Sequence, residues 1–145
     1  MSVALQVDIL GAARVQRIVS RLGHLELHKL LDTVGNVVAN QTRRRILHDK
    51  EAPDGSQWAD YSKPYGRYKA RVRPNIGMLQ FDGHLLDSIT HVVARDEVEV
   101  GAGSDIVYAR RQHEMRPYLG LSTTDEDDVE EAVKLWIAAV VGVRL

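Results

Sequence analysis

His24 and His28 stand four residues apart, a spacing that puts two imidazoles on one helix face and suits a zinc pair. The protease form of that motif needs glutamate directly after the first histidine, where this chain has Leu25, and no third ligand is evident. The chain has no cysteine, so thiolate metal sites are excluded, and the two histidines read as ordinary residues of an amphipathic helix. Thr123-Thr-Asp-Glu-Asp-Asp-Val-Glu-Glu131 is the densest carboxylate run. A helix–loop–helix calcium site wants glycine at the sixth place, and counting from Asp125 that place is Glu130. The simpler account is electrostatic, since carboxylates in a first helical turn complement the partial positive charge at a helix N-terminus. Gly101-Ala-Gly103-Ser104 lacks the third glycine of a dinucleotide turn and the lysine of a phosphate loop, and no Gly-x-Ser-x-Gly element exists. No acid–base pair or activated nucleophile is nominated, so the sequence predicts a non-enzymatic protein without metal or cofactor.

The chemistry that remains is that of charged surfaces. Between residues 43 and 73 there are nine Lys/Arg against four Asp/Glu, including Arg43, Arg44 and Arg45 and then Lys63, Arg67, Lys69, Arg71 and Arg73, with Tyr61, Tyr65 and Tyr68 among them. Arginines neutralise phosphates and tyrosines stack on bases, so a DNA-binding module is one reading of this segment. The other is contact with an acidic protein surface, which another copy supplies through Asp125, Glu126, Asp127, Asp128, Glu130 and Glu131. The net charge of −1 conceals this division: residues 1–81 carry thirteen Lys/Arg and seven Asp/Glu, and residues 82–145 carry six and thirteen. Folding can interleave the two halves and cancel the dipole. Kept on separate faces, they suit head-to-tail association of copies.

The elements that must position these groups follow from periodicity. At 145 residues, 44% hydrophobic and 27% charged, the chain predicts one folded domain over 1–145 rather than a disordered segment. It has no apolar run long enough for a membrane span and no signal-peptide pattern at its start. Residues 3–9 alternate as a short strand, and 12–22 place Val15, Ile18, Val19 and Leu22 at helical spacing. A second, long helix runs over about 25–49 with Leu27, Leu30, Leu31, Val34, Val38 and Ile46 as its stripe, weakened locally by Gly35 and Asn40. Its length suggests a helix lying across a subunit rather than inside one. Pro53, Asp54 and Gly55 supply turn chemistry, and Trp58 a packing anchor. Residues 59–77 are polar and basic, interrupted by two prolines, and read as a surface loop. Thr90-His-Val-Val-Ala-Arg95 and Val98-Glu-Val100 alternate as a β-hairpin reversing at Asp96-Glu97. A short helix over 106–113 follows. Ser122 or Thr123 then caps a C-terminal amphipathic helix with Val129, Val133, Trp136, Ile137, Val140 and Val141 on one face. The predicted fold class is α+β.

The order of small motifs is more specific than any one of them. Thr42-Arg-Arg-Arg-Ile-Leu-His48 is followed by Ala52-Pro-Asp-Gly-Ser-Gln-Trp-Ala59, then Met78-Leu-Gln-Phe-Asp-Gly-His-Leu-Leu-Asp-Ser-Ile89, Val98-Glu-Val-Gly-Ala-Gly103, Tyr108-Ala109 and Arg116-Pro-Tyr-Leu-Gly-Leu-Ser122. Over roughly residues 25–141 this series resembles the phage virion morphogenesis family, the tail-completion proteins of Mu-like and related contractile-tailed phages and prophages. The resemblance implies a virion structural protein acting in tail termination and head–tail joining. Its partners would be itself in a ring, commonly a hexamer, the tail tube protein and head connector proteins. It would be made in the host bacterial cytoplasm and end in the virion at the head-proximal end of the tail. The motif residues have plain physical jobs as well: Gly83 permits a backbone bend, and Arg116 and Pro117 fix the approach to the last helix. One departure stands out, since family members usually carry a longer, glycine-containing stretch between the Tyr108-Ala pair and the Arg116-Pro pair, where this chain has only residues 110–115.

Overall fold

Val98, Val100 and Ala102 alternate along β3 (Glu97–Ala102), which puts three fully buried side chains on one face of a strand paired along both edges. The computed structural model describes residues 3–7, 20, 23–75, 77–79 and 83–141. On one side of β3 runs β1 (Val3–Val7), antiparallel, with Val3, Leu5 and Val7 opposite Ala102, Val100 and Val98. On the other side β2 (Thr90–Ala94), also antiparallel, sets His91 and Val93 opposite Val100 and Val98. Register thus sets Val3, Leu5, Val7, His91 and Val93 on the same face as Val98, Val100 and Ala102, in the strand order β1-β3-β2, and leaves Val92 on the other face. The hairpin turns at Arg95 and Asp96, one residue earlier than its sequence suggests. Arg95 takes the left-handed conformation (φ 56°), and Glu97 already pairs with Ala94.

Helix α1 (His24–Arg44) lies against that face, and α5 (Thr123–Val141) packs on α1 rather than on the sheet. The expectation that the long helix lies across a subunit rather than inside one is corrected here, since the helix is packed within the domain. Leu30, Leu31, Val34 and Val38 are all at most 1% exposed, because its apolar positions serve two neighbours at once. At about 1.5 Å per residue such a helix spans roughly 30 Å, enough to cross a whole small domain. Gly35, read as a weak point, is a contact point. A Cβ there would stand 2.4 Å from the Cδ2 of His91, so the missing side chain lets helix and sheet approach closely. α1 ends in a wider, π-type turn over Arg45–Asp49, closed by Lys50 in the left-handed region, whose N–H donates to the Arg45 carbonyl at 2.7 Å. The helix expected over 12–22 lies outside the described residues.

The basic segment is also corrected. Within residues 59–77, Lys63–Val72 form a helix, α2, rather than a loop. The two prolines mark its limits instead of preventing it. Pro64 sits in the first turn, where a missing N–H costs nothing, and Pro74 follows the C-cap Arg73. Ser62 caps the start, its Oγ accepting from the Tyr65 N–H at 3.4 Å. Tyr61, Tyr65 and Tyr68 fall at i, i+4 and i+7, and their rings touch in sequence at centroid distances of 5.0 and 6.2 Å. α3 (His84–Ser88), entered through Gly83 at φ 75°, buries Leu85, and Ile89 is buried just beyond its end. α4 (Ala109–Met115) begins three residues later than its sequence suggests.

Candidate functional site

Successive residues on a helix point about 100° apart, and the Arg43, Arg44, Arg45 triplet is accordingly divided among three environments. Arg43 donates to the Asn40 side chain at 2.9 Å and to the Ile89 carbonyl, tying α1 to the start of β2. Arg44 points outward with its side chain 72% exposed, and its nearest carboxylate, on Asp49, lies 3.9 Å away. Arg45 is buried. It donates to the carbonyls of Tyr118 (3.0 Å) and Gly120 (3.3 Å) and forms an ion pair with Asp125 of the same chain.

Asp125 is therefore an interior residue. Beyond Arg45, its carboxylate accepts the Ser122 N–H at 3.0 Å while the Ser122 Oγ accepts the Asp125 N–H at 3.0 Å, a reciprocal cap that starts α5. Glu126, Asp127, Asp128, Glu130 and Glu131 are exposed, and Glu130 pairs with Lys134 one turn on at 3.0 Å. So of the six acidic residues in this run, five remain at the surface.

On α2 the side chains of Lys63, Arg67, Arg71 and the C-cap Arg73 are exposed, while Lys69 folds inward. Its ammonium lies 5.5 Å from the Tyr61 ring centroid, and the Arg71 guanidinium lies 6.0 Å from that of Tyr68. Tyr61 has a second cation, Arg116, at 5.0 Å. Burial pushes the Tyr61 hydroxyl pKa up, the neighbouring Tyr65 adds to this, and Arg116 opposes it, so the group stays a phenol at ordinary pH.

Arg116 is 4% exposed and donates to the carbonyls of Ala59 (2.8 Å) and Asp60 (3.1 Å). Together with the 2.8 Å bond from Trp58 Nε1 to the Pro117 carbonyl, it staples the 51–60 loop to the strip before α5. Pro53 closes the other end of this contact by packing on Gly120, whose φ of 141° and proximity (2.7 Å from Pro53 Cγ to a hypothetical Cβ) exclude a larger residue. Asp54 Oδ1 accepts the Ser56 N–H at 2.9 Å. Hydrogen bonds from the Ser56 side chain and backbone hold the Asp54 carboxyl below its usual pKa, and Gly55 takes φ 88° to complete the turn.

Between α2 and α4 lies a groove of about 520 Å³, walled by Tyr61, Tyr65, Leu79, Tyr108, Met115 and Arg111, with Gly83 and Arg116 at its margin. Tyr108 and Gly83, separate motifs in the sequence, meet here. Met115 and Arg111 were not anticipated as functional; their only sequence signal is four-residue spacing on a helix too short to show a period. Among the described residues no group of three His, Asp or Glu side chains is placed to hold a metal ion, and no helix is long and apolar enough to cross a membrane.

Residues 11–114 match the model of the phage virion morphogenesis family, a span from before α1 through nearly all of α4. The match ends at residue 114, inside the short 110–115 connection and before the Arg116-Pro117 strip. No curated protein and no solved structure matches the chain. The match extends over well more than half the length and takes in the long helix, the turn with Trp58, the hairpin and Tyr108, so the chain belongs to the phage virion morphogenesis family.

Proposed function

We propose that this protein completes the phage tail: copies associate head to tail into a ring at the head-proximal end, which caps the tail tube and presents a surface to the head connector. The observation that carries this reading is the distribution of exposed charge. Lys63, Arg67, Arg71 and Arg73 lie on or beside one helix that has no acidic residue, and Glu126, Asp127, Asp128 and Glu131 lie on another where only Lys134 is basic. Arg45 and Asp125, which the sequence offers to the same contact, are committed to each other inside the fold and take no part. Opposite signs on separate helices of one subunit favour heterologous contacts, which close into a ring when the rotation permits. The role is steric and electrostatic, with no bond made or broken, and family membership supports a place in the virion.

The experiment is removal of the gene from the phage or prophage, followed by electron microscopy of particles and complementation with the intact chain. Tails of abnormal length or tails without heads, restored by the chain, are expected. Normally joined, infectious particles in its absence would overturn the reading.

A further inference from the structure

The groove between α2 and α4 has apolar walls that the fold leaves open: Tyr65 is 39% exposed, Tyr108 40% and Met115 47%. One exposed cation, Arg111, stands in the wall. Grooves with open apolar walls accept the apolar side chains of an amphipathic helix. The chain carries such a helix face on α5. Val129, Val133 and Ile137 point into the core, so the outward side of α5 presents Asp127, Asp128 and Glu131 and then, four residues after Glu131, Leu135. Leu135 is 62% exposed, among the largest exposures of any apolar residue described.

We propose that the groove is a socket for α5 of a second copy, with Leu135 seated among Tyr65, Tyr108 and Met115 and Glu131 paired with Arg111. This rests on the head-to-tail association proposed above and assigns it a contact. The match is one of sign: against a single carboxylate, Asp60, the groove brings Arg111 and, on the outer side of α2, Lys63, Arg67 and Arg71. The incoming face brings Asp127, Asp128 and Glu131 before its apolar anchor, with Lys134 at its margin paired to Glu130. In the head-to-tail arrangement proposed above, an open chain of copies keeps one free socket at one end and one free helix at the other until a ring closes.

The cysteine-free chain makes the test direct. Leu135→Cys and Met115→Cys are prepared as separate proteins, mixed at high concentration and oxidised. A mixed disulfide dimer is expected, well above the product of either protein alone. Arg111→Glu and Glu131→Arg, both at exposed positions, should each lower self-association in sedimentation by about tenfold or more with an unchanged melting temperature, and the double variant should recover it. Assemblies that are indifferent to both substitutions and give no mixed cross-link would overturn the socket while leaving tail completion standing. Normal particles after gene removal would overturn tail completion itself. Loss of binding to a short DNA duplex in Arg111→Glu, with self-association unaffected, would reassign the groove to nucleic acid and also overturn the proposal.

Discussion

Arg45 and Asp125, eighty residues apart in the chain, form one ion pair in the interior, where the end of α1 meets the start of α5. Arg45 also holds two carbonyls of the 118–120 strip, and Asp125 also caps α5, so one contact fixes three segments.

Removing one partner of such a pair leaves a buried charge without its counter-ion, which typically costs about 3–5 kcal/mol. Arg45→Met should therefore lower unfolding free energy by about that amount in urea titration. Arg45→Met combined with Asp125→Asn should cost less than the two changes summed. A subunit contact would behave otherwise, with Arg45→Met reducing assembly and leaving monomer stability intact.

Gly35 and His91 give a second, independent prediction. On helix propensity alone, Gly35→Ala should stabilise α1 by about 1 kcal/mol. The added methyl would instead meet the His91 ring, which is also held by a 2.7 Å contact between its Nε2 and Asp32 Oδ1. Gly35→Ala is expected to destabilise by about 1–3 kcal/mol, as overpacking does. His91→Ala should then convert it to a neutral or stabilising change. A stable Gly35→Ala single variant would show that the helix and sheet are not as close as described.

These two residue pairs show what the sequence could and could not convey. The apolar stripe of α1, the hairpin and the face of α5 are local periodicities, and they were legible. Arg45 was not, because charge content cannot tell a side chain that points out, as Arg44 does, from the next one, turned 100° inward. α2 was hidden for a related reason: its stabilising contacts are tyrosine rings and the stem of Lys69, which do not count as apolar in a hydropathy pattern. Nor could a linear reading bring together the groove, since Tyr65, Leu79 and the pair Tyr108 and Met115 come from three separate stretches of chain that line it only in the fold.

Tyr118 supplies a third test. Its side chain is fully buried and its hydroxyl donates to the Ala109 carbonyl at 2.8 Å, joining the start of α4 to the strip before α5. Burial pushes this phenol far above its ordinary pKa, so the bond persists at any pH the fold survives. Tyr118→Phe keeps the ring and removes only this hydrogen bond, a loss of about 0.5–1.5 kcal/mol. Because α4 forms one wall of the groove, the same variant should raise amide exchange in residues 109–115 beyond that in β3, as measured by hydrogen exchange.

His113 makes stability depend on pH. Its Nδ1 accepts the N–H groups of Tyr118 (3.3 Å) and Leu119 (3.4 Å), and its ring meets Tyr118 edge-on at 5.1 Å, an arrangement only the neutral imidazole can make. Burial lowers its pKa from 6.5, with Glu114 opposing. A depressed histidine pKa means that the unfolded chain binds the proton first, so stability rises with pH in that range. The contribution is whole above about pH 6.5 and is lost as pH falls below that value toward the folded pKa. In His113→Asn an amide oxygen takes the place of Nδ1 and does not titrate. Urea unfolding of both proteins at a series of pH values should give a difference that is constant above neutrality. Below about pH 6.5 it should shift steadily against the wild-type chain. A difference independent of pH from 5 to 8 would mean that His113 binds its proton equally well in the folded and unfolded chain, and that its burial and its two backbone N–H contacts do not act on the imidazole.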